Sequence, residues 1–440
     1  MKVYFISLGC DKNTVETQMM LGILMDAGIE ITEDEYEADA CVINSCAFIA
    51  DAKRESINAI LEMARLKEES KLKYIVVAGC LGQRYKDELQ EQIPEVDAIV
   101  GINSFDKIAE VLISLEDKEH PAPLTGDEDK VLCGFRRVLT GINHSASLKI
   151  AEGCNKRCTY CAIPKIRGNY RSVPMEVLLK EAEDLVRNGV RELVIVAQET
   201  TVYGVDIYGR KSLPELIRKL ALIEDLKMIR LMYCYPEEIT DELIEVMRDE
   251  PKVCHYIDIP IQSASDAVLK KMGRRTDEAS IRELIGRLRE AIPDIAIRTT
   301  LISGFPGEKG SDHRKTLQFV KDMRFDRLGV FAYSPEEGTP AAKMKHQVPS
   351  FIKKIRQNSI MRLQQKIAYE KAAECKGRVM DVMIDGELPE DNVYVGRTYR
   401  DAQGIDGYIF IEKKRELMSG DVIRALVTDA TGYDLLGHEV

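Results

Sequence analysis

From Ser147 to about Phe331 the chain repeats one pattern: a short run of β-branched and aliphatic residues, then a longer stretch of helical periodicity. Six such runs occur, at Leu148-Lys149-Ile150, Leu193–Ala197, Ile229–Tyr233, Tyr256–Pro260, Ile295–Leu301 and Leu328–Ala332. Helical patterns fall between them, over Met175–Asn188, Leu213–Ile223, Glu238–Arg248, Ser280–Ala291 and Asp312–Met323. Such alternation is what a parallel sheet with crossover helices requires. Six units fall short of the eight in a closed barrel, so an open, partial (β/α)6 barrel is expected. Its wide lateral mouth suits a macromolecular substrate.

The first ~115 residues alternate in the same way on a smaller scale, which predicts a separate α/β parallel sheet. Its runs are Val3–Leu8, Ala40–Asn44 and Tyr74–Ala78, and each is followed at once by a cysteine: Cys10, Cys46 and Cys80. Ligands of open α/β sheets sit outside the carboxyl ends of the strands. Three thiols at three strand ends can therefore converge on a second metal site, although 36 and 34 residues separate them (46−10 and 80−46). The alternative is three unrelated buried thiols. Cys41 lies inside a run rather than at its end, so its side chain should pack.

Directly after the first run of the larger unit comes Gly153-Cys154-Asn155-Lys156-Arg157-Cys158-Thr159-Tyr160-Cys161. A C-x3-C-x2-C loop can wrap three thiolates around an iron–sulfur cubane and leave one iron open. A structural zinc site wants four ligands, usually in two pairs, and no fourth cysteine follows within reach. Eleven cysteines in 440 residues are too sparse for a disulfide scaffold, which favours metal ligation in a reducing compartment. Cys133, Cys234, Cys254 and Cys375 read as structural or incidental, and so does the His255 beside Cys254.

These features divide the chain into an N-terminal α/β domain (1–116), a linker (117–139) opening in the polar stretch Glu116–Lys130, a central barrel (140–370) and a C-terminal domain (373–440). A long amphipathic helix from Pro349 to about Cys375 should brace the barrel against the last domain. There the pattern changes to short strands, Val379–Ile384, Val393–Thr398, Gly407–Ile411, Val422–Thr428 and Asp434–Gly437, which predicts a small antiparallel β-barrel or sandwich. Net charge is −11 (62 basic against 73 acidic residues). A protein whose affinity came from neutralising phosphates would normally be basic, so the balance tilts toward a basic protein partner. No run approaches the ~20 apolar residues of a membrane span, and the N-terminus turns polar too early for a signal peptide, so a cytoplasmic protein is expected.

The cysteine loop resembles that of the radical S-adenosylmethionine (radical SAM) enzymes, and the whole chain is similar to their methylthiotransferase family. That resemblance implies an auxiliary [4Fe-4S] cluster on Cys10, Cys46 and Cys80, and a radical SAM [4Fe-4S] cluster on Cys154, Cys158 and Cys161. It also implies a C-terminal TRAM module. Four stretches look like the branch acting on a β-carbon of an aspartate in the small-subunit ribosomal protein S-twelve: Ser7–Asn13, Ala197–Gly204, Leu231–Pro236 and Tyr333–Pro340. The branch that modifies an anticodon-loop adenosine of tRNA usually differs after the first cysteine and at Gln198-Glu199-Thr200-Thr201. Asp11 stands where proline is frequent, and Ser45 and Ala47 where Thr and Gly are frequent; none of these would ligate iron.

By the same resemblance, the reduced cluster splits SAM, the resulting radical takes a hydrogen from the substrate carbon, and a second SAM methylates sulfur held at the auxiliary cluster. The implied SAM contacts are Gln198 and Glu199 at the methionine amino group, Gln262 and Ser263 toward the ribose, Arg298 at the carboxylate and Gly304 beside adenine. Solvated loop and turn residues, and for Arg298 a buried ion pair, are the alternatives. Implied partners are a basic ribosomal protein and an electron donor such as flavodoxin or ferredoxin, with no membrane and a monomeric chain. A two-cluster electron-transfer protein is the reading from another class, although a carrier of electrons needs no substrate cavity.

Overall fold

The computed structural model describes residues 1–118, 121–126 and 130–440. Part of the expected linker, residues 119–120 and 127–129, lies outside the described residues.

The N-terminal sheet has five parallel strands: β1 (Lys2–Ser7), β2 (Glu30–Thr32), β3 (Ala40–Ser45), β4 (Tyr74–Gly79) and β5 (Ala98–Val100). Their order is β2-β1-β3-β4-β5. Two of these strands, β2 and β5, are only three residues long, too short to stand out as runs in the sequence. Every residue of β3 is buried, as a central strand covered on both faces must be. Alternate side chains divide between two cores. Val3, Val42 and Val76 meet the helices Asp11–Asp26 and Ile108–Glu116, and Ile43, Ile75 and Val77 meet the helix Ala50–Glu69. Cys41 packs into the second core, as a mid-strand residue should. The chain passes from β1 to β2 on one side and then to β3 on the other, so the strand order reverses between β1 and β3. Ligands gather at such a switch point.

The central sheet contains β6 (Ser145–Lys149), β9 (Glu192–Val196), β10 (Met228–Leu231), β11 (Val253–Gln262), β12 (Ala296–Ser303) and β13 (Arg327–Ala332), with a short hairpin of β7 (Ala151–Glu152) and β8 (Arg171–Ser172). The order β6-β9-β10-β11-β12-β13 is parallel throughout, and among the described residues β6 and β13 do not pair, so the barrel stays open. Free edges need cover. The helix Ser350–Ala373 supplies it at β13, where Gln357 Nε2 donates to the Val330 carbonyl (2.6 Å) and Gln364 Nε2 to that of Phe325 (2.8 Å). At the other edge, the helix Asp11–Asp26 of the N-terminal unit lies against β6.

The last five strands, β14 (Val379–Leu388), β15 (Val393–Thr398), β16 (Ile409–Glu412), β17 (Val422–Thr431) and β18 (Asp434–Glu439), close into a barrel. It is antiparallel except where β16 runs parallel to β18. Closure buries Val382, Ile384, Tyr394, Ile411 and Val427 and leaves no edge. A buried triad fixes it to the central barrel. Glu192, the first residue of β9, accepts from Arg230 Nε and Arg397 Nη1, both at 2.8 Å. The C-terminal barrel therefore sits at the amino ends of the central strands and leaves their carboxyl ends to the N-terminal unit.

Candidate active site between two sheets

The loop after β6 reaches Cys154 through Gly153, whose φ is +77°. An added Cβ there would lie 2.0 Å from the Asn169 carbonyl oxygen, so only glycine permits this approach. Past it, the Cys161 amide donates to the Cys158 carbonyl (3.0 Å), and Thr159 N–H donates to Met272 O (2.9 Å). Cys158 Sγ stands 3.7 Å from Tyr235 Oη, and the Arg274 guanidinium covers the Tyr235 ring at 4.2 Å. Arg274 Nε and Nη1 are buried without a hydrogen-bond partner among the described residues. Burial raises the Cys154 thiol to about 11 and that of Cys161 to about 12.

Facing this loop, Cys10, Cys46 and Cys80 follow β1, β3 and β4 around the switch point. Asn13 links them. Its Nδ2 donates to Leu8 O (2.9 Å) and Ser45 O (3.1 Å), and its Oδ1 lies 4.0 Å from both Cys10 Sγ and Cys80 Sγ. Gly9 has φ +100°, and a Cβ on it would press to 2.9 Å from that of Cys46. Burial pushes Cys80 up to about 12 and raises Cys46. Among the described residues no three His, Cys, Asp or Glu side chains converge as they would on one ion. Thiolates around a multi-iron core stand farther apart than around a single ion, and thiols raised by burial suit a cationic core that ionises them on binding, with Arg167 beside Cys80 assisting.

A buried ion network joins the two sheets beside Cys80. Arg167 Nη2 donates to Asn13 Oδ1 (2.7 Å) and Cys80 Sγ (3.3 Å), and its Nη1 donates to Glu16 (2.6 Å) and Glu152 (2.9 Å). Lys149 Nζ bridges the same two carboxylates at 2.9 Å each. Glu152 then accepts from Gln198 Nε2 (3.0 Å). Burial alone would raise Glu152; Arg167 and Lys149 outweigh it and hold the carboxyl well below its usual range. The sequence reading missed this network. The available signal was Lys149 and Glu152, charges that end β6 and β7 on either side of Ile150 and Ala151, and none marked Arg167.

The expected SAM contacts separate into two groups. Gln198 and Glu199 follow β9 beside the cysteine loop, and each keeps a buried oxygen, Gln198 Oε1 and Glu199 Oε2, without a hydrogen-bond partner among the described residues. Glu199 is raised to about 7 by burial, although Thr201 N–H donates to its Oε1 (3.0 Å) and Lys156 Nζ stands 3.7 Å away. Two such acceptors suit an ammonium group. Gln262 ends β11 at φ +68°, and Ser263 Oγ accepts from the Ser265 amide (3.2 Å). Arg298 is engaged elsewhere, with Asp258 (2.9 Å) and, across to the C-terminal unit, Asp406 (3.8 Å). At Gly304 an added Cβ would strike Lys353 Cγ at 2.3 Å, so this glycine makes room for the helix Ser350–Ala373.

Three family models match: uncharacterized protein family UPF0004 over residues 2–101, the radical SAM superfamily over 148–320 and the TRAM domain over 377–440. A protein of Lachnoclostridium phytofermentans described as ribosomal protein uS12 methylthiotransferase RimO is 55% identical over 437 residues, 99% of each chain. The chain belongs to the RimO family of methylthiotransferases. A family member from Thermoanaerobacter is 46% identical, again over 99% of both chains. Among solved structures, the radical S-adenosylmethionine methyltransferase TsrM from Kitasatospora setae superposes with TM-score 0.57 at 14% identity, over 95% of this chain and 83% of that one. At that identity the likeness is one of fold. This chain is thus a radical SAM methylthiotransferase of α/β architecture with a closed C-terminal TRAM barrel. No helix among the described residues is long and apolar enough to cross a membrane.

Proposed function

We propose that this enzyme places a methylthio group on the β-carbon of an aspartate in ribosomal protein uS12, consuming two SAM molecules and one sulfur. The observation that carries the reading is the likeness to uS12 methylthiotransferases, which runs through the N-terminal sheet, the barrel and the TRAM barrel alike. Cys154, Cys158 and Cys161 would hold one [4Fe-4S] cluster, and Cys10, Cys46 and Cys80 a second. When bound, these groups supply the electron that cleaves SAM and the site where sulfur is presented.

The chain's own residues do the rest. Gln198 and Glu199 offer the SAM amino group two oxygens that lack a hydrogen bond among the described residues, with Gln262 and Ser263 at the end of β11, two strands along. Tyr235 and Arg274 wall the radical loop and keep water from it. Arg167, Glu16, Lys149 and Glu152 hold the two sheets in one register, so that donor and acceptor meet without diffusing. An acidic chain of net charge −11 suits a basic ribosomal protein as substrate. The enzyme would act as a monomeric chain in the cytoplasm, reduced by a flavodoxin- or ferredoxin-type donor.

The test is mass spectrometry of ribosomal-protein and tRNA digests from cells with and without the gene. Loss of the methylthio mass from the uS12 aspartate alone is expected. Loss from a tRNA adenosine instead would overturn the assignment.

A further inference from the structure

Lys12 is the second residue of the helix that follows Cys10, and it is only 5% exposed. A buried ammonium normally finds a carboxylate or several acceptors. No hydrogen bond or ion pair reaches this one among the described residues: it rests on the face of Tyr233, with Nζ 3.1 Å from the ring centroid, while Asp11, Asp258 and the Cys10 thiol attract its charge from farther away. The other buried lysine of this region, Lys149, is by contrast fully paired with Glu16 and Glu152.

The place of Lys12 is informative. Tyr233 follows β10 at the carboxyl end of the central sheet, where it holds a left-handed φ of +59° that non-glycine residues rarely adopt. Its amide donates to Asp258 (3.1 Å) and its hydroxyl to Asp11 (3.3 Å), so the ring is fixed from two sides. Two residues on, Tyr235 Oη meets Cys158 Sγ. Lys12 thus stands two residues from a thiol of one trio, on a ring two residues from the tyrosine that touches the other. This ammonium, held in no ion pair among the described residues, therefore lies between the segments that carry the two trios.

We infer that Lys12 recognises the side-chain carboxylate of the aspartate to be modified, holding it by charge-assisted hydrogen bonds while the Tyr233 ring sets the position of the ammonium. The inference rests on the reading that the substrate is an aspartate, and names the residue that selects it. A carboxylate beside the reacting carbon is what distinguishes aspartate from asparagine, and a buried cation left unpaired penalises the neutral analogue.

The experiment uses the reconstituted two-cluster enzyme and two forms of uS12, one with the target aspartate and one with asparagine there. Binding and methylthiolation are measured for the native enzyme, Lys12→Met and Lys12→Arg. The native enzyme should prefer the aspartate form by on the order of tenfold to a hundredfold, the worth of one charged hydrogen bond. Lys12→Met should bind both forms equally weakly, and Lys12→Arg should recover part of the preference. SAM affinity, iron content and the midpoint potentials of the clusters are read in parallel. Undiminished discrimination in Lys12→Met overturns the inference. Discrimination kept while SAM affinity or a cluster potential changes overturns it too, and assigns Lys12 to the SAM carboxylate or the thiolate charge. Failure of the native enzyme to modify uS12 at all removes the aspartate reading itself, an outcome separate from the other two.

Discussion

Replacing Arg167 by methionine isolates the contact on which the pairing of the two sheets depends. Its side chain is 1% exposed and serves Glu16 and Asn13 of the N-terminal unit, Glu152 of the central one, and Cys80. In the native network two cations, Arg167 and Lys149, face two carboxylates, Glu16 and Glu152. Methionine fills similar space but leaves one buried negative charge uncompensated. Breaking a buried pair from one side typically costs about 3–5 kcal/mol, far more than the pair's net contribution. For slopes of up to about 3 kcal/mol per molar, the urea midpoint of the transition that includes the N-terminal sheet should fall by at least about 1 M. Equilibrium denaturation of Arg167→Met, Glu16→Gln and the double variant, followed by circular dichroism, measures this. Restoring neutrality should make the double variant lose less than the sum of the singles, by about 0.5–3 kcal/mol. An unchanged midpoint in Arg167→Met, or strict additivity in the double variant, would refute the claim that this network ties the two sheets together.

Two further outcomes follow from burial and charge. Cys80→Ala should lower the iron held after anaerobic reconstitution by about half, since each trio would carry one four-iron cluster, whereas Cys41→Ala, though equally buried, should leave iron unchanged; metal analysis separates the two. Burial tends to raise the Glu192 carboxyl, but Arg397 and Arg230 outweigh it and hold it at about 2, below its ordinary 4.5. The stability it lends is therefore complete above the ordinary value and is lost as pH falls from 4.5 toward 2. Acid titration of the native chain should show this leg, and Glu192→Gln should lack it.

Much of this molecule is readable from its residues in order. Six apolar runs at regular spacing dictate a parallel sheet, because only crossover helices can join them, and five short runs after Gly377 dictate a small β structure. The positions of Cys10, Cys46 and Cys80 follow from the same logic, since each comes just after a run ends. What escapes is whatever depends on short or distant pairing. Strands β2 and β5 are three residues each and exist because β1 and β4 offer them edges.

Single letters likewise cannot say which charges are spent on structure. Arg298 reads as a candidate for a ligand carboxylate and Gly304 as a backbone approach to adenine, and no local pattern foretells that Asp258 and Asp406 stand beside the first and Lys353 beside the second. Conversely, Lys12 and Arg167 look alike as basic residues near cysteines, yet Arg167 is saturated with hydrogen-bond partners while Lys12 rests on an aromatic face with no ion pair among the described residues. Local pattern fixes where strands and thiols fall, because period and spacing are properties of neighbours along the chain. Which buried charge is paired and which is left free is decided only when the N-terminal sheet meets the barrel, because the partners come from residues as far apart as Glu16 and Arg167.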